Sequence, residues 1–125
     1  MNTCLITGAI LAVMISIVHS YLGERYILTR LFRRAALPHL FGSDRFTRQT
    51  LRFAWHLSSI AWVGLAGIMI SFTFVDPLQS RRVALQIISI TFVIHTLITA
   101  VATRGRHLAW IVYLAIALVS WLGIG

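Results

Sequence analysis

At 125 residues the chain has the length of a single domain. Its composition, 58% hydrophobic and 11% charged, excludes an ordinary soluble domain, in which about 25% of residues carry charge. The formal net charge of +8 comes entirely from arginines that cluster between apolar blocks, which favours membrane orientation over nucleic-acid binding.

Four apolar stretches occur in chain order, at 5–22, 53–75, 83–102 and 108–124. Each approaches the ~20 residues that cross a ~30 Å hydrocarbon layer, with 108–124 at the lower limit. Strands are excluded, because an open sheet edge has no hydrogen-bond partners in lipid and the runs are too long for barrel strands. The predicted fold is an all-α integral membrane protein, an up-down four-helix bundle forming one transmembrane domain over 1–125.

The first stretch follows Met1-Asn2-Thr3-Cys4, a flank without the basic residues of a cleaved leader, so it is read as a retained span. Gly8, Ala12, Ser16 and Ser20 recur every fourth residue, which predicts a close-packing face. Cys4 is the single cysteine and is expected to be a small packing residue. His19 borders the small-residue face, just before Gly23, Glu24 and Arg25.

From Gly23 an arginine-rich connection runs over 23–52. Ile27, Leu28, Leu31, Phe32 and Ala35 keep helical spacing, which predicts continuation of the first helix or an amphipathic surface helix ended by Pro38. Ser43 or Asp44 is the expected N-cap of the next helix, which carries Arg45, Arg48 and Arg52 before its apolar run. Asp76-Pro77 ends the second span, Ser80 is the expected cap of the third, and Arg104-Gly105-Arg106 is a tight turn into the fourth. Trp55, Trp110 and Trp121 fall at interface depth and are assigned to an aromatic belt.

Nine arginines lie in the 23–52 and 103–107 connections, and two, Arg81 and Arg82, lie in the connection between the second and third spans. The positive-inside rule places the nine in the cytoplasm and both termini outside, in a bacterial inner membrane, with the arginines against anionic inner-leaflet lipids.

Each span carries a histidine in or near its inner half: His19, His56, His95 and His107. Ionisable groups within a span are costly and usually face a partner. Two readings stand side by side. In one, His19, His56 and His95 bind a b-type haem or a transition metal for electron transfer, with Arg52 meeting a propionate or Glu24 adding an oxygen ligand. In the other, the chain is a non-enzymatic accessory or scaffold subunit of a larger membrane complex or homo-oligomer, and its histidines make interhelical hydrogen bonds. Glu24 is then expected to pair with Arg25 or Arg52. The sequence contains no Cys-x-x-Cys-His, phosphate-binding loop, dinucleotide glycine pattern or nucleophile elbow.

The segments His19-Ser-Tyr-Leu-Gly-Glu24-Arg25-Tyr26 and Arg52-Phe-Ala-Trp-His56-Leu57, with the Leu40-Phe41-Gly42 turn between them, resemble small bacterial membrane proteins of four spans. The resemblance covers about the first half of the chain and implies no particular activity.

Overall fold

The computed structural model describes residues 3–34 and 36–124. Helix α1 covers Thr3–Leu22, widens into a π-helical stretch, π1, at Gly23–Leu28, and ends in α2, Thr29–Leu31. Three further helices follow: α3 at Arg45–Phe74, α4 at Pro77–Thr103 and α5 at Ala109–Leu122. No strand occurs among the described residues. The segments Thr3–Leu31, Arg45–Phe74 and Pro77–Thr103 are long and apolar enough to cross a membrane. The 14 residues of α5 rise only about 21 Å, short of a ~30 Å hydrocarbon core.

Successive long helices pack antiparallel in a row. Gly8 of α1 meets Met69 of α3, and Ser16 donates to the Ser59 carbonyl at 2.8 Å. Gly64 and Gly67 of α3 meet Thr91 and Ile87 of α4, and Ser89 of α4 donates to the Ala117 carbonyl of α5 at 2.9 Å. Among the described residues α1 packs on α3 but approaches neither α4 nor α5 closely, and α5 packs on α4 alone. The neighbour order is that of an up-down bundle, but the row is left open at α1 and α5. The small-residue face of α1 makes the α3 contact, as its spacing requires.

Polarity in this row is inverted relative to a water-soluble protein. Six hydrophobic residues are buried among those described, and three of them are alanines: Ala9, Ala66 and Ala117. The buried side of α4 is instead Ser80, Ser89, His95, Thr96, Thr99 and Thr103. Large apolar side chains such as Ile17, Val101, Val119 and Leu122 point outward. Small and hydroxyl-bearing residues let backbones approach and supply interhelical hydrogen bonds, the packing favoured in lipid.

Several boundaries differ from the sequence reading. The first helix continues past Gly23 but stops at Leu31, well before Pro38, and Ala35 lies outside the described residues. The stop is fixed from α3: Arg48 donates to the carbonyls of Phe32 and Arg34. Asp44 occupies the N-cap position of α3 without capping it through its side chain, because its carboxylate accepts from Arg48 Nε at 2.8 Å. At α4 the cap is Asp76, which accepts from the Leu78 N–H at 2.8 Å. Ser80 lies one turn later and donates back to the Val75 and Asp76 carbonyls. Gly105, at φ 76°, closes the end of α4 as expected, its N–H reaching the Ala100 carbonyl at 2.9 Å, with Arg104 also left-handed at φ 51°. Cys4 is exposed rather than packed, and Met1 and Asn2 of the flank lie outside the described residues.

Two predictions follow from packing and charge. A Cβ on Gly64 would stand 2.6 Å from Thr91 Oγ1, whereas one on Gly67 would make ordinary contact at 3.5 Å. Gly64→Val should therefore destabilise the detergent-solubilised protein by about 1–3 kcal/mol through overpacking. Gly67→Ala should stabilise it by roughly 0.5–1 kcal/mol through the lower backbone entropy of alanine; thermal unfolding reads both. The hydrogen bond and charge of Arg48 hold the Asp44 carboxyl below its ordinary range. A depressed carboxylate contributes at neutral pH, and the contribution is lost as pH falls through the lowered value. Protection factors against amide exchange in the 36–44 connection, taken relative to the intrinsic rate at each pH, should fall under acid in the native chain, and Asp44→Asn should show the lowered protection already at neutral pH.

Candidate functional site

Residues of the candidate site meet where α1 and π1 lie against the arginine-bearing end of α3. The close approach there depends on Gly23. A Cβ at this position would fall 1.9 Å from Trp55 Nε1, so the indole fills the volume that any other residue would occupy. Trp55 Nε1–H donates to the His19 carbonyl at 3.0 Å, and its ring stacks on the His19 imidazole with centroids 4.5 Å apart. Trp62 approaches the same imidazole edge-on at 4.9 Å. Ser58 gives its proton to the Trp55 carbonyl at 2.7 Å, so at 3.1 Å its oxygen accepts from His19 Nε2. Trp55 thus belongs to the helix seam, in place of the aromatic-belt role assigned from depth alone.

The widened π1 turn carries Glu24 to the other side of this seam. Arg52 Nη2 meets Glu24 Oε1 at 2.9 Å, and His56 Nε2 donates to Glu24 Oε2 at 3.3 Å. A carboxylate only accepts, so Nε2 is the protonated nitrogen. His56 Nδ1 lies 3.0 Å from Ser20 Oγ, which lies 2.8 Å from Ser59 Oγ. The result is a polar chain, Arg52–Glu24–His56–Ser20–Ser59, whose members alternate between α3 and the first helical segment. Arg52 also lies over the Phe32 ring at 5.1 Å. With both partners more than a third exposed, the Glu24–Arg52 pair contributes about 0–1 kcal/mol in water. The pairing expected between these residues is present, with His56 as an additional partner.

His95 stands apart on α4. It is buried at 5% exposure, its Nδ1–H donates to the Thr91 carbonyl at 2.8 Å, and its ring packs on Phe92 and on Tyr113 of α5. One turn on, the fully buried Thr99 hydroxyl has no hydrogen-bond partner among the described residues. His107 packs between the Phe46 and Phe53 rings, and its Nδ1 accepts from the Ala109 N–H at 3.3 Å.

The structure therefore brings His56, Glu24 and Arg52 together, sets His19 against Trp55 and Ser58, and leaves His95 at the α4–α5 contact. Among the described residues no three His, Cys, Asp or Glu side chains converge as a group able to hold a metal ion. Ligation by His56 would also have to displace Ser20 or Glu24, because both ring nitrogens are engaged. Sequence reasoning missed Gly23 and Trp55 as a contact pair and Ser20 as the partner of His56. For Ser20 a signal was present, since it ends the small-residue row of α1.

Substituting Gly23 by alanine should destabilise the protein by about 1–3 kcal/mol, because the indole must leave the seam. Trp55→Phe, which retains an aromatic ring, should cost nearer to 1 kcal/mol for the lost hydrogen bond. An unchanged unfolding temperature and unchanged tryptophan emission in Gly23→Ala would contradict this packing.

Comparison of the chain with protein-family models, with curated proteins and with solved structures returned no match.

Proposed function

We propose that the chain is a multi-pass protein of the bacterial inner membrane, with both termini periplasmic, which takes the 14-residue α5 as a fourth, short crossing. In this reading it serves as a non-enzymatic accessory or scaffold subunit of a larger membrane complex. The membrane assignment is supported by three helices of spanning length and by an apolar exterior around a hydroxyl-rich interior. The arginine asymmetry supports its orientation.

One observation carries the scaffold role. Each intramembrane histidine is engaged with a different protein partner: His19 with Ser58 and Trp55, His56 with Ser20 and Glu24, His95 with the Thr91 carbonyl. The His19 and His56 bonds tie the first helical segment to α3, and the His95 ring, held by its own helix, packs on Tyr113 of α5. The open row adds support, because α1 and α5 each pack on a single neighbour and leave an edge for another subunit.

A second reading, electron transfer through a b-type haem or a transition metal, draws on His95. Its Nδ1–H is held by a backbone carbonyl, the arrangement that fixes an imidazole for ligation through Nε2.

The two readings separate on protein purified in a mild detergent. The scaffold reading expects migration with partner subunits, and a reduced-minus-oxidised spectrum free of Soret and α bands. A stoichiometric haem spectrum abolished by His95→Ala would overturn it. So would a chain that purifies alone and monodisperse from native membranes.

A further inference from the structure

The arginine-bearing end of the row also contains a cavity that the histidine seam does not use. It lies between the 40–46 turn and the C-terminus of α4, with a volume of about 120 Å³. That is on the order of four water molecules at ~30 Å³ each, the size class of a phosphate group. Arg45, Arg104 and Arg106 line it, together with Ser43 and Gln49.

Arg48 and Arg52 are paired with Asp44 and Glu24, but no carboxylate of the described residues lies within ion-pair distance of Arg45, Arg104 or Arg106. The third acidic residue, Asp76, sits at the opposite end of α4. Orientation in the membrane requires arginines on this side, but it does not require three of them, from two chain segments, to converge on one cavity.

The turn beside the cavity supplies a second observation. Leu40 and Ser43 exchange backbone hydrogen bonds of 2.9 and 3.4 Å across Phe41 and Gly42, both of which have positive φ, 58° and 86°. Glycine adopts that conformation freely, whereas for phenylalanine it is strained. The strained residue is also the exposed one: Phe41 lines the cavity and is 73% exposed, braced edge-on by Phe46 at 5.1 Å and by Arg106 at 5.9 Å. An aromatic ring held outward beside a cationic cavity matches a ligand with an anionic group next to an apolar one.

We propose that this cavity is a binding site for the phosphate of an anionic phospholipid of the inner leaflet. Arg45, Arg104 and Arg106 neutralise the phosphate, Ser43 and Gln49 donate neutral hydrogen bonds, and Phe41 inserts beside the acyl chains. Arginine suits the role because its planar fork presents paired donors to phosphate oxygens. The site rests on the membrane reading and deepens it from general lipid contact to a defined pocket.

The test is titration of the full chain in neutral detergent with phosphatidylglycerol, with phosphatidylcholine and, separately, with inorganic phosphate, read by tryptophan emission and thermal shift. Phosphatidylglycerol is expected to bind and stabilise, and phosphatidylcholine to do so far less. The double variant R104Q/R106Q should lose about tenfold or more in phosphatidylglycerol affinity, and R81Q/R82Q, with the same charge loss at the other end, at most about twofold. Phe41→Ser should weaken the lipid without altering the fold by circular dichroism, and R104K/R106K, which keeps the charge, should recover part of the affinity. Equal losses in the two double variants would reduce the effect to diffuse charge and overturn the site. Stabilisation by inorganic phosphate as strong as by phosphatidylglycerol would overturn the lipid assignment in favour of a soluble phosphate ligand. A chain extracted from membranes by alkaline carbonate would instead overturn the membrane reading on which the site rests.

Discussion

One close approach governs this molecule: the indole of Trp55 occupies the space where residue 23 would have a side chain. With glycine there, α1 and α3 come close enough for Trp55 to hydrogen-bond the His19 carbonyl and stack on its ring. The same turn then leaves α-helical geometry for π1, and the wider turn carries Glu24 to Arg52 and His56. π-bulges of this kind are frequent at functional sites because they re-aim side chains within an unbroken helix. One missing methyl group thus lies upstream of both histidine environments on this seam.

Under the proposed membrane location, the interior polarity follows from what surrounds the helices. In lipid, burying a leucine gains little, because the lipid tails are as apolar as the side chain. Close backbone packing and satisfied hydrogen bonds then hold helices together. Ser16 with the Ser59 carbonyl and Ser89 with the Ala117 carbonyl are contacts of that type. In water the same arrangement would expose Ile17, Val101, Val119 and Leu122 with almost no buried apolar core to compensate.

Helix existence and order were legible in the sequence, because runs of some twenty apolar residues have few alternatives. The α1 packing face was legible too, since Gly8, Ala12, Ser16 and Ser20 repeat at helical spacing, and Gly8, Ser16 and Ser20 of that row meet α3. Depth along each helix could be counted, but rotation about each axis could not. His19, His56 and His95 fall at comparable depth by residue count, yet the first two face a tryptophan and a serine–glutamate pair on one seam and the third a tyrosine at the α4–α5 contact. Helix ends were misread where a distant residue decides them: Arg48 of α3 fixes the stop at Leu31, and Asp44 serves Arg48 in place of its own helix N-terminus. Neither pairing has a local signature.

These contacts attach α1 to the rest of the chain through α3 alone, a claim open to direct measurement. Spin labels on outward-facing positions of matched depth, Leu11 of α1 with Val63 of α3 and Leu11 with Leu118 of α5, report the two separations by pulsed dipolar spectroscopy in lipid. The open row predicts a clearly longer separation for the α1–α5 pair, beyond the ~8–10 Å of a single packed helix step. Equal separations for the two pairs would mean that the four helices close into a ring, and that α1 is held by more than the Gly23–Trp55 seam.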